Sequence, residues 1–294
     1  MRVRSLRQMK KKLTAREIET EAAGAPPPPS HRDPVPPGEA MAMLVRRGWH
    51  PRKTHLDLPF PHDFEPEVAA AVSERLSHYA FRLFLRGAIQ KPEGFAPSET
   101  TRYLKPAQSR SYAESLVDLG IAERRGRGRY RLIRPARTFG GTLEWYVARE
   151  LHSRYGFDVA AAVKLHAHGV GGDLDIVAAA EGKLIYLELK SSPPKNLSAG
   201  EIAAFIDRVA LIRPDVTVFT IDTALRLSDK VLPIIVSELS RRSGTAATVP
   251  VRIVRELWAI TPHIYAVNGR PDLIANIARA VAQGLLALAP SLQA

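Results

Sequence analysis

The sequence predicts an α/β protein with a mixed central sheet, preceded by a small helical module. Three observations support this. After residue 142, apolar runs of strand length alternate with amphipathic helical segments, which is typical of a sheet covered by helices. Residues 64–137 instead indicate helices followed by a Gly-rich hairpin. Residues 1–60 are basic and rich in proline, without sustained periodicity, so we predict a disordered tail and linker there, with a short helix in MAMLVRRGWH as an alternative for that segment.

Composition narrows the range of functions. The chain has 294 residues, a formal net charge of +12 and no cysteine. The positive excess lies almost entirely before Thr142, which indicates a part that binds polyanions and a nearly neutral body, although basic surface can also serve solubility alone. The lack of cysteine excludes disulfides and thiolate chemistry, and a reducing cytoplasm is the simplest location. No apolar run approaches the ~18 residues of a membrane span, so no membrane partner is predicted.

The helical module contains three predicted helices and a hairpin. Residues 67–90 carry apolar side chains at helical spacing and are predicted as one helix. A second, short helix is predicted in PSETTRYL, with Ser98 as its capping residue. The third is PAQSRSYAESLVDLG, which Gly120 ends. In IAERRGRGRYRLI, two short strands flank a turn at residues 126–128.

This order, and above all the run ESLVDLGIAERRGRGRYRLI, resembles the winged helix-turn-helix family. The resemblance implies that the third helix enters the major groove of DNA while the hairpin, or wing, lies along the phosphates. The side chains that would face bases are Gln108, Ser109, Arg110 and Ser111. Those that would contact phosphate are Arg124, Arg125, Arg127, Arg129 and Arg131. Winged helices also dock on proteins, so that alternative stays open.

The larger domain is predicted over residues 142–294. A helix in TLEWYVARELHSRYG precedes three strands, FDVAAAVKLHAHG, DLDIVAAA and KLIYLELK, then a helix in AGEIAAFIDRVALI and a strand in VTVFTID. A helix in LSDKVLPIIVSELS, the segments PVRIVRELWAI and HIYAVNG, and a final amphipathic helix complete the chain. A short hairpin at residues 181–183 is expected to fold the second strand back on the third.

That hairpin would place Asp175 beside Glu188. Residues i and i+2 of a strand share a face, so Glu188 and Lys190 point together while Leu189 points into apolar surroundings. Two carboxylates and an ammonium on such apolar strands suit a hard divalent cation, with the lysine beside an attacking water. The alternative is an edge-strand ion pair with a turn carboxylate and no activity. Acid-x-Lys is also common by chance, as residues 181–183 illustrate.

The order helix, three strands, helix, strand, with LEWYV, GDLDIV and LIYLELKSS at its acidic positions, resembles the PD-(D/E)XK nuclease superfamily. The resemblance covers roughly residues 142–222 and implies a restriction-endonuclease-like α-β-β-β-α-β core. The matching catalytic positions are Glu144, Asp175, Glu188 and Lys190. It also implies that Mg2+ or Mn2+ is held by the carboxylates of Asp175 and Glu188 and by the Leu189 carbonyl, with Glu144 as a ligand directly or through water. Leu174 stands where the family name implies proline, and Asp173 shares the strand face of Asp175 as a rival ligand.

The expected function is therefore a metal-dependent endonuclease that hydrolyses DNA phosphodiester bonds, with the winged helix positioning the substrate. The alternative is a non-catalytic DNA-binding regulator, or an accessory protein of a mobile element or defence system, that keeps an inactive nuclease fold. Cutting both strands of a duplex needs two active sites and hence a homodimer. The sequence leaves open this oligomeric state, the number of metal ions, the choice of DNA or RNA, and the biological pathway.

Overall fold

The computed structural model describes residues 38–165, 173–244 and 248–289. Within these ranges the chain forms eight α-helices: α1 (Glu39–Arg46), α2 (Pro66–Ser77), α3 (Tyr79–Ile89), α4 (Pro106–Asp118), α5 (Gly140–Tyr155), α6 (Ala199–Ile212), α7 (Val231–Ser243) and α8 (Leu273–Leu288). The strands are β1 (Pro51–Lys53), β2 (Ala122–Arg124), β3 (Tyr130–Leu132), β4 (Asp158–Leu165), β5 (Leu174–Ala180), β6 (Lys183–Lys190), β7 (Val216–Ile221), β8 (Val251–Val254), β9 (Leu257–Thr261) and β10 (Ile264–Asn268).

Eight strands form one mixed sheet in the order β1-β4-β5-β6-β7-β10-β9-β8. Strand β7 runs parallel to both β6 and β10, whereas the other neighbouring pairs are antiparallel. The predicted α/β class with a mixed sheet is confirmed. The predicted order of helix, three strands, helix and strand is present as α5, β4, β5, β6, α6 and β7.

Each face of the sheet has its own hydrophobic core. Ile185, Leu187 and Leu189 of β6 lie in a core with α5 and α8. Leu184 and Tyr186 of the same strand lie in the other core, with α1, α6 and α7. The side chains of β6 therefore alternate between the two faces, as the period of a strand requires. The prediction that Leu189 points into apolar surroundings is confirmed.

The prediction of a disordered linker is wrong for residues 38–60, where the alternative of a short helix in MAMLVRRGWH is present as part of α1. Ala40, Met41 and Leu44 of α1 are buried against the sheet, and the backbone N–H of Ala40 donates to Asp158 Oδ2 at 2.6 Å. Strand β1 pairs antiparallel with β4 and forms one end of the sheet. The apolar run MAMLV supplies the buried side chains of α1. Strand β1 has only three residues and is held by backbone hydrogen bonds, so it leaves no side-chain pattern in the sequence. Residues 1–37, the rest of that prediction, lie outside the described residues.

The single helix predicted over residues 67–90 is two helices, α2 and α3, separated at His78, whose backbone is extended with ψ 116°. Arg82, only 1% exposed, explains the break. Its Nη1 donates to the carbonyl oxygens of Leu76 and Ser77 at 2.6 and 2.9 Å, which caps the end of α2. The apolar spacing continues through both helices, so the sequence pattern conceals the interruption.

The predicted helix in PSETTRYL is a three-residue 3-10 turn, Pro97–Glu99. Ser98 lies inside this turn, and it is Glu99 that returns a carboxylate oxygen to the Ala96 N–H at 3.1 Å. The module therefore contains α2, α3 and α4, followed by the β2–β3 hairpin. Its core is continuous with that of the sheet, since Phe84 and Leu116 belong to the same cluster as Leu187. Its assignment to the winged-helix family stays a prediction.

No helix in the described ranges is long and apolar enough to cross a membrane.

Candidate active site

The β5–β6 hairpin builds the site. Its turn residues Glu181 and Gly182 both have positive φ, 52° and 69°, which is the geometry of a type I′ turn. Because the turn fixes the register, Ala180 pairs with Lys183 and Ile176 pairs with Leu187. The predicted hairpin at these residues is confirmed.

The two strands separate beyond the pair of Ile176 and Leu187, where the register of β5 against β6 ends. Strand β6 nevertheless continues beside β7 as far as Lys190, which is opposite Ile221. Asp175 occupies the gap, and its Oδ2 accepts a hydrogen bond from the Leu189 N–H at 2.7 Å. In a strand the N–H and C=O of one residue point to the same side, so the Leu189 carbonyl also faces this gap.

Glu188 is only 1% exposed, and neighbouring groups offset the negative charge of its carboxylate. Arg208 Nη2, from α6, donates to both carboxylate oxygens at 2.8 Å. The Tyr186 hydroxyl donates to Oε2, and Lys190 Nζ lies 2.9 Å from Oε1. Arg208 Nε also donates to the Tyr186 hydroxyl at 2.9 Å. Glu188 is therefore an anion held inside the protein by two cations and a phenol.

Lys190 connects this buried group to solvent. Its side chain is 20% exposed, and its Nζ also lies 3.9 Å from Glu201 Oε1. Glu201 belongs to a capping box at the start of α6, in which Ser198 Oγ accepts from the Glu201 N–H at 3.2 Å. Burial alone lowers the pKa of Lys190, but the charge and hydrogen bond of Glu188 raise it above its ordinary value. The ammonium is thus kept protonated at the mouth of the site.

Two further acids crowd the same region. Burial, followed by the negative charges of Asp175, Asp173 and Glu188, raises the pKa of Glu144 from 4.5 to about 8. Burial and the charge of Glu188 raise the pKa of Asp175 from 3.8 to about 7. The structure therefore brings together all four residues predicted as catalytic, Glu144, Asp175, Glu188 and Lys190. The rival ligand Asp173 lies beside them, where its Oδ2 accepts from Thr54 Oγ1 at 3.3 Å.

Carboxylate and carbonyl oxygens are the ligands that Mg2+ prefers, so the donor chemistry fits the predicted cation. The arrangement is not a preformed cage, because no three His, Cys, Asp or Glu side chains in the described ranges gather as a metal site. The oxygens of Glu188 are already occupied by Arg208, Tyr186 and Lys190. Mg2+ commonly takes only one or two protein carboxylates and completes its shell with water and substrate phosphate. Asp175 with the Leu189 carbonyl meets that lower requirement, and the ligand assignment itself stays a prediction.

Sequence reasoning missed Arg208 and Tyr186. Tyr186 has a detectable signal, since it stands two residues before Glu188 and must share its strand face. Arg208 has a weaker one, as a cation that follows Asp207 in the largely apolar stretch IAAFIDRVALI. Only the packing of α6 on the sheet shows that this guanidinium meets the Glu188 carboxylate.

The predicted nucleic-acid residues of α4 divide by exposure. Gln108, Arg110 and Ser111 are exposed, consistent with a contact surface. Ser109 is wholly buried and its hydroxyl has no hydrogen-bond partner among the described residues, so the prediction that it faces bases is wrong. The helical period places Ser109 on the side of α4 that packs in the module.

Most of the predicted wing arginines are already paired with acids. Arg124 bonds to Glu114, Arg129 Nη1 lies 3.2 Å from Glu99, and Glu123 takes both Arg125 at 2.6 Å and Arg131 at 3.3 Å. Arg127, at the tip of the wing with φ 49°, forms no ion pair among the described residues. These pairs are largely exposed and therefore weak, so phosphate can compete for the arginines. Nucleic-acid binding by the wing stays a prediction.

No protein-family model matches this chain, and no curated protein matches it. Among solved structures, protein VC1899 from Vibrio cholerae is 13% identical, with a TM-score of 0.49 over 86% of this chain and 63% of that one. Can2 from Sulfobacillus thermosulfidooxidans, solved in complex with cyclic tetra-adenylate, is 16% identical, with a TM-score of 0.43 over 82% and 60%. The chain thus spans less than two thirds of the length of either protein. Values this low identify neither a family nor a function.

Proposed function

We propose that this protein hydrolyses nucleic-acid phosphodiester bonds, with DNA as the substrate and Mg2+ or Mn2+ as the cofactor. The observation that carries the proposal is the grouping of Glu144, Asp175, Glu188 and Lys190 where β5 and β6 separate. Burial, followed by the charge of neighbouring acids, raises the pKa of Glu144 and of Asp175, which is a cost that a structural ion pair avoids. A divalent cation would offset that cost, and the gap offers oxygen ligands to it.

The position of each side chain in the site suits it to a different role. Asp175 would hold the cation with the oxygen that the Leu189 N–H does not occupy, and the Leu189 carbonyl would be its neighbour. Arg208 and Tyr186 fix Glu188, which in turn holds the Lys190 ammonium at the mouth of the site. From there Lys190 can donate to the attacking water or to a non-bridging phosphate oxygen, where negative charge grows in the transition state.

Glu144 is suited to proton transfer. With a pKa of about 8, its carboxyl retains a proton near neutral pH and releases it when positive charge arrives nearby. A bound divalent cation supplies a Lewis acid and a water with lowered pKa. The basic first part of the chain supplies the charge that attracts the polyanionic substrate.

The direct test is cleavage of supercoiled plasmid with Mg2+ or Mn2+. Asp175→Asn and Lys190→Met should each lower the nicking rate by roughly 100-fold or more, since the first removes a ligand of the cation and the second a donor to the transition state. Lys183→Met is the matched control, because Lys183 stands at the opposite end of the same strand. That variant should cut at the wild-type rate.

Equal cleavage by the wild type and both site variants would contradict the proposal. So would absence of cleavage by the wild type on plasmid, single-stranded DNA and RNA with either cation. Circular dichroism and urea unfolding establish that each variant is folded before its activity is compared.

One observation favours a second candidate, a nucleic-acid-binding protein without cleavage. The Glu188 oxygens are already occupied by two cations and a phenol, which is how a purely structural buried acid is arranged. In that case nucleic acid binds, no strand is cut, and neither Mg2+ nor Mn2+ raises the melting temperature of the protein. A metal-dependent rise that Asp175→Asn removes would speak for the nuclease instead.

A further inference from the structure

The segment between the 3-10 turn and α4 presents an unusual side chain to solvent. Tyr103 is 68% exposed, although tyrosine normally buries most of its ring in a folded protein. Its own neighbour Arg102 flanks it, with the guanidinium carbon 5.1 Å from the ring centroid and Nη2 donating to the Tyr103 hydroxyl at 3.1 Å. Lys105, two residues further along, is exposed as well.

A series of contacts links this segment to the backbone of Lys190. Thr100 packs so closely on Gly87 that a β-carbon there would lie 1.9 Å from the Thr100 carbonyl oxygen. The residue before Gly87, Arg86, bonds through Nη2 to Asp222 Oδ2 at 2.9 Å. The Asp222 N–H in turn donates to the carbonyl of Lys190 at 2.8 Å. Tyr103 therefore belongs to the same side of the molecule as the ends of β6 and β7.

More cations stand on this side. Lys195, in the loop after β6, is exposed, and its carbonyl accepts from Lys230 Nζ at 2.7 Å. Beside it lies a hollow of about 410 Å³ whose lining includes Arg226 and Lys230. The pKa of Tyr103 is lowered, mainly by the hydrogen bond from Arg102 and additionally by the charge of Lys195, as expected for cations grouped around the ring.

An exposed aromatic ring among cations beside a phosphodiesterase site is the arrangement by which proteins hold unpaired nucleotides. The ring offers a stacking face to any base, and the cations take the flanking phosphates. The bases of a duplex are already stacked on each other and offer no free face. A duplex would therefore bind here only through the attraction between its phosphates and the cations.

We propose that Tyr103 stacks on an unpaired base of a nucleic-acid strand, with Arg102 and Lys195 contacting its phosphates. The inference rests on the proposed function in one respect, that the strand held here is the substrate. It sharpens that function, because it assigns the enzyme a preference for single-stranded or unpaired regions over continuous duplex.

The chain contains a matched control. Tyr155 is also exposed, at 41%, and the preceding Arg154 likewise lies over its ring, at 5.7 Å. Tyr155, however, sits at the end of α5 against Phe157, and Arg154 is 3.7 Å from Glu150. Tyr155→Ala removes the same kind of side chain from a place outside the proposed surface.

The test is the fluorescence anisotropy of labelled oligothymidine, oligouridine and a blunt DNA duplex, titrated with the full chain in EDTA. Tyr103→Ala should weaken binding of the single strand by roughly 10–100-fold, the loss of one stacked base, and should change duplex affinity little. Tyr103→Phe should bind as the wild type does, since the phenyl ring still stacks. Lys195→Ala should weaken both forms and reduce the salt dependence of binding. Tyr155→Ala should change nothing.

Three results would overturn the proposal: unchanged single-strand binding by Tyr103→Ala, an equal loss on Tyr155→Ala, or equal loss for strand and duplex. Failure of the wild type to bind either single strand would overturn it too. Because EDTA prevents metal-dependent cleavage, these outcomes are separate from the nicking assay. A protein that never cuts but binds a single strand through Tyr103 would refute the proposed nuclease and leave this surface in place.

Discussion

Glu188 and Asp222 are buried acids near the ends of neighbouring parallel strands, and their surroundings differ. Asp222 is 0% exposed, and two arginines from α3 take its oxygens, Arg82 at 3.0 Å and Arg86 at 2.9 Å. Glu188 is 1% exposed and is compensated as thoroughly, but Asp175 and Glu144 stand beside it. Asp222 is a single carboxylate with two arginines as partners. Glu188 also has two cations as partners, but two further carboxyl groups lie beside it.

The comparison indicates what each acid does. A carboxylate enclosed by two arginines is a connection between elements, and Asp222 joins α3 of the helical module to the sheet. Burial and, after it, repulsion by neighbouring acids raise the pKa values of Glu144 and Asp175, which is a cost that a ligand can relieve. Burial alone does not separate the two cases; the number of like charges nearby does.

The largest effect is expected at Asp222. Asp222→Ala leaves two arginines unpaired, one of them fully buried, and should lower the free energy of unfolding by roughly 3–5 kcal/mol. Urea unfolding measures this. Glu123→Ala is the control, because Glu123 is 41% exposed and its pairs with Arg125 and Arg131 should contribute less than about 1 kcal/mol. Similar losses in the two variants would contradict the structural assignment of Asp222.

Arg208→Met should have an intermediate effect. It leaves Glu188 buried with only Tyr186 and Lys190 as partners, so the free energy of unfolding should fall by about 2–4 kcal/mol. Adding Glu188→Gln removes the buried charge that Arg208 no longer neutralises, and should restore much of the lost free energy of unfolding. A double variant whose loss equals the sum of the two single losses would show that the pair is not coupled.

The smallest effect concerns pH. A carboxyl whose folded pKa is raised binds more protons in the folded state than in the unfolded state. Stability is therefore lost as pH increases from the ordinary value of 4.5 through the raised value of about 8. In EDTA, the wild-type free energy of unfolding should fall by at least about 1 kcal/mol between about pH 5 and about pH 9.

Glu144→Gln should remove much of that pH dependence, whereas Glu181→Gln, on the exposed turn, should leave it intact. An identical slope in the wild type and Glu144→Gln would mean that neither burial nor the charges of Asp175 and Asp173 raise the pKa of Glu144. Mg2+ added at about pH 9 should raise wild-type stability if the acids hold it, and should raise that of Asp175→Asn less.

Local patterns predicted what depends on neighbouring residues. The strand period placed Glu188 and Lys190 together and Leu189 opposite, and the residues Glu181 and Gly182 marked the turn that sets Asp175 near Glu188. The same reasoning failed at His78, because the break between α2 and α3 is capped by the side chain of Arg82 rather than by a local breaker. It also failed at β1, whose pairing with β4 bridges more than a hundred residues of chain.

The sequence by itself determined the α/β class, the order of elements around the candidate site and the acids and lysine within it, because period and turn chemistry act over a few residues. Only the tertiary structure decided which cations meet which acids. Arg208 binds Glu188 and Arg82 binds Asp222 across long stretches of chain, and nothing local to either arginine specifies its partner. The surplus of acids around Glu188 likewise exists only once α5 lies beside the sheet, since charge repulsion depends on distance in space.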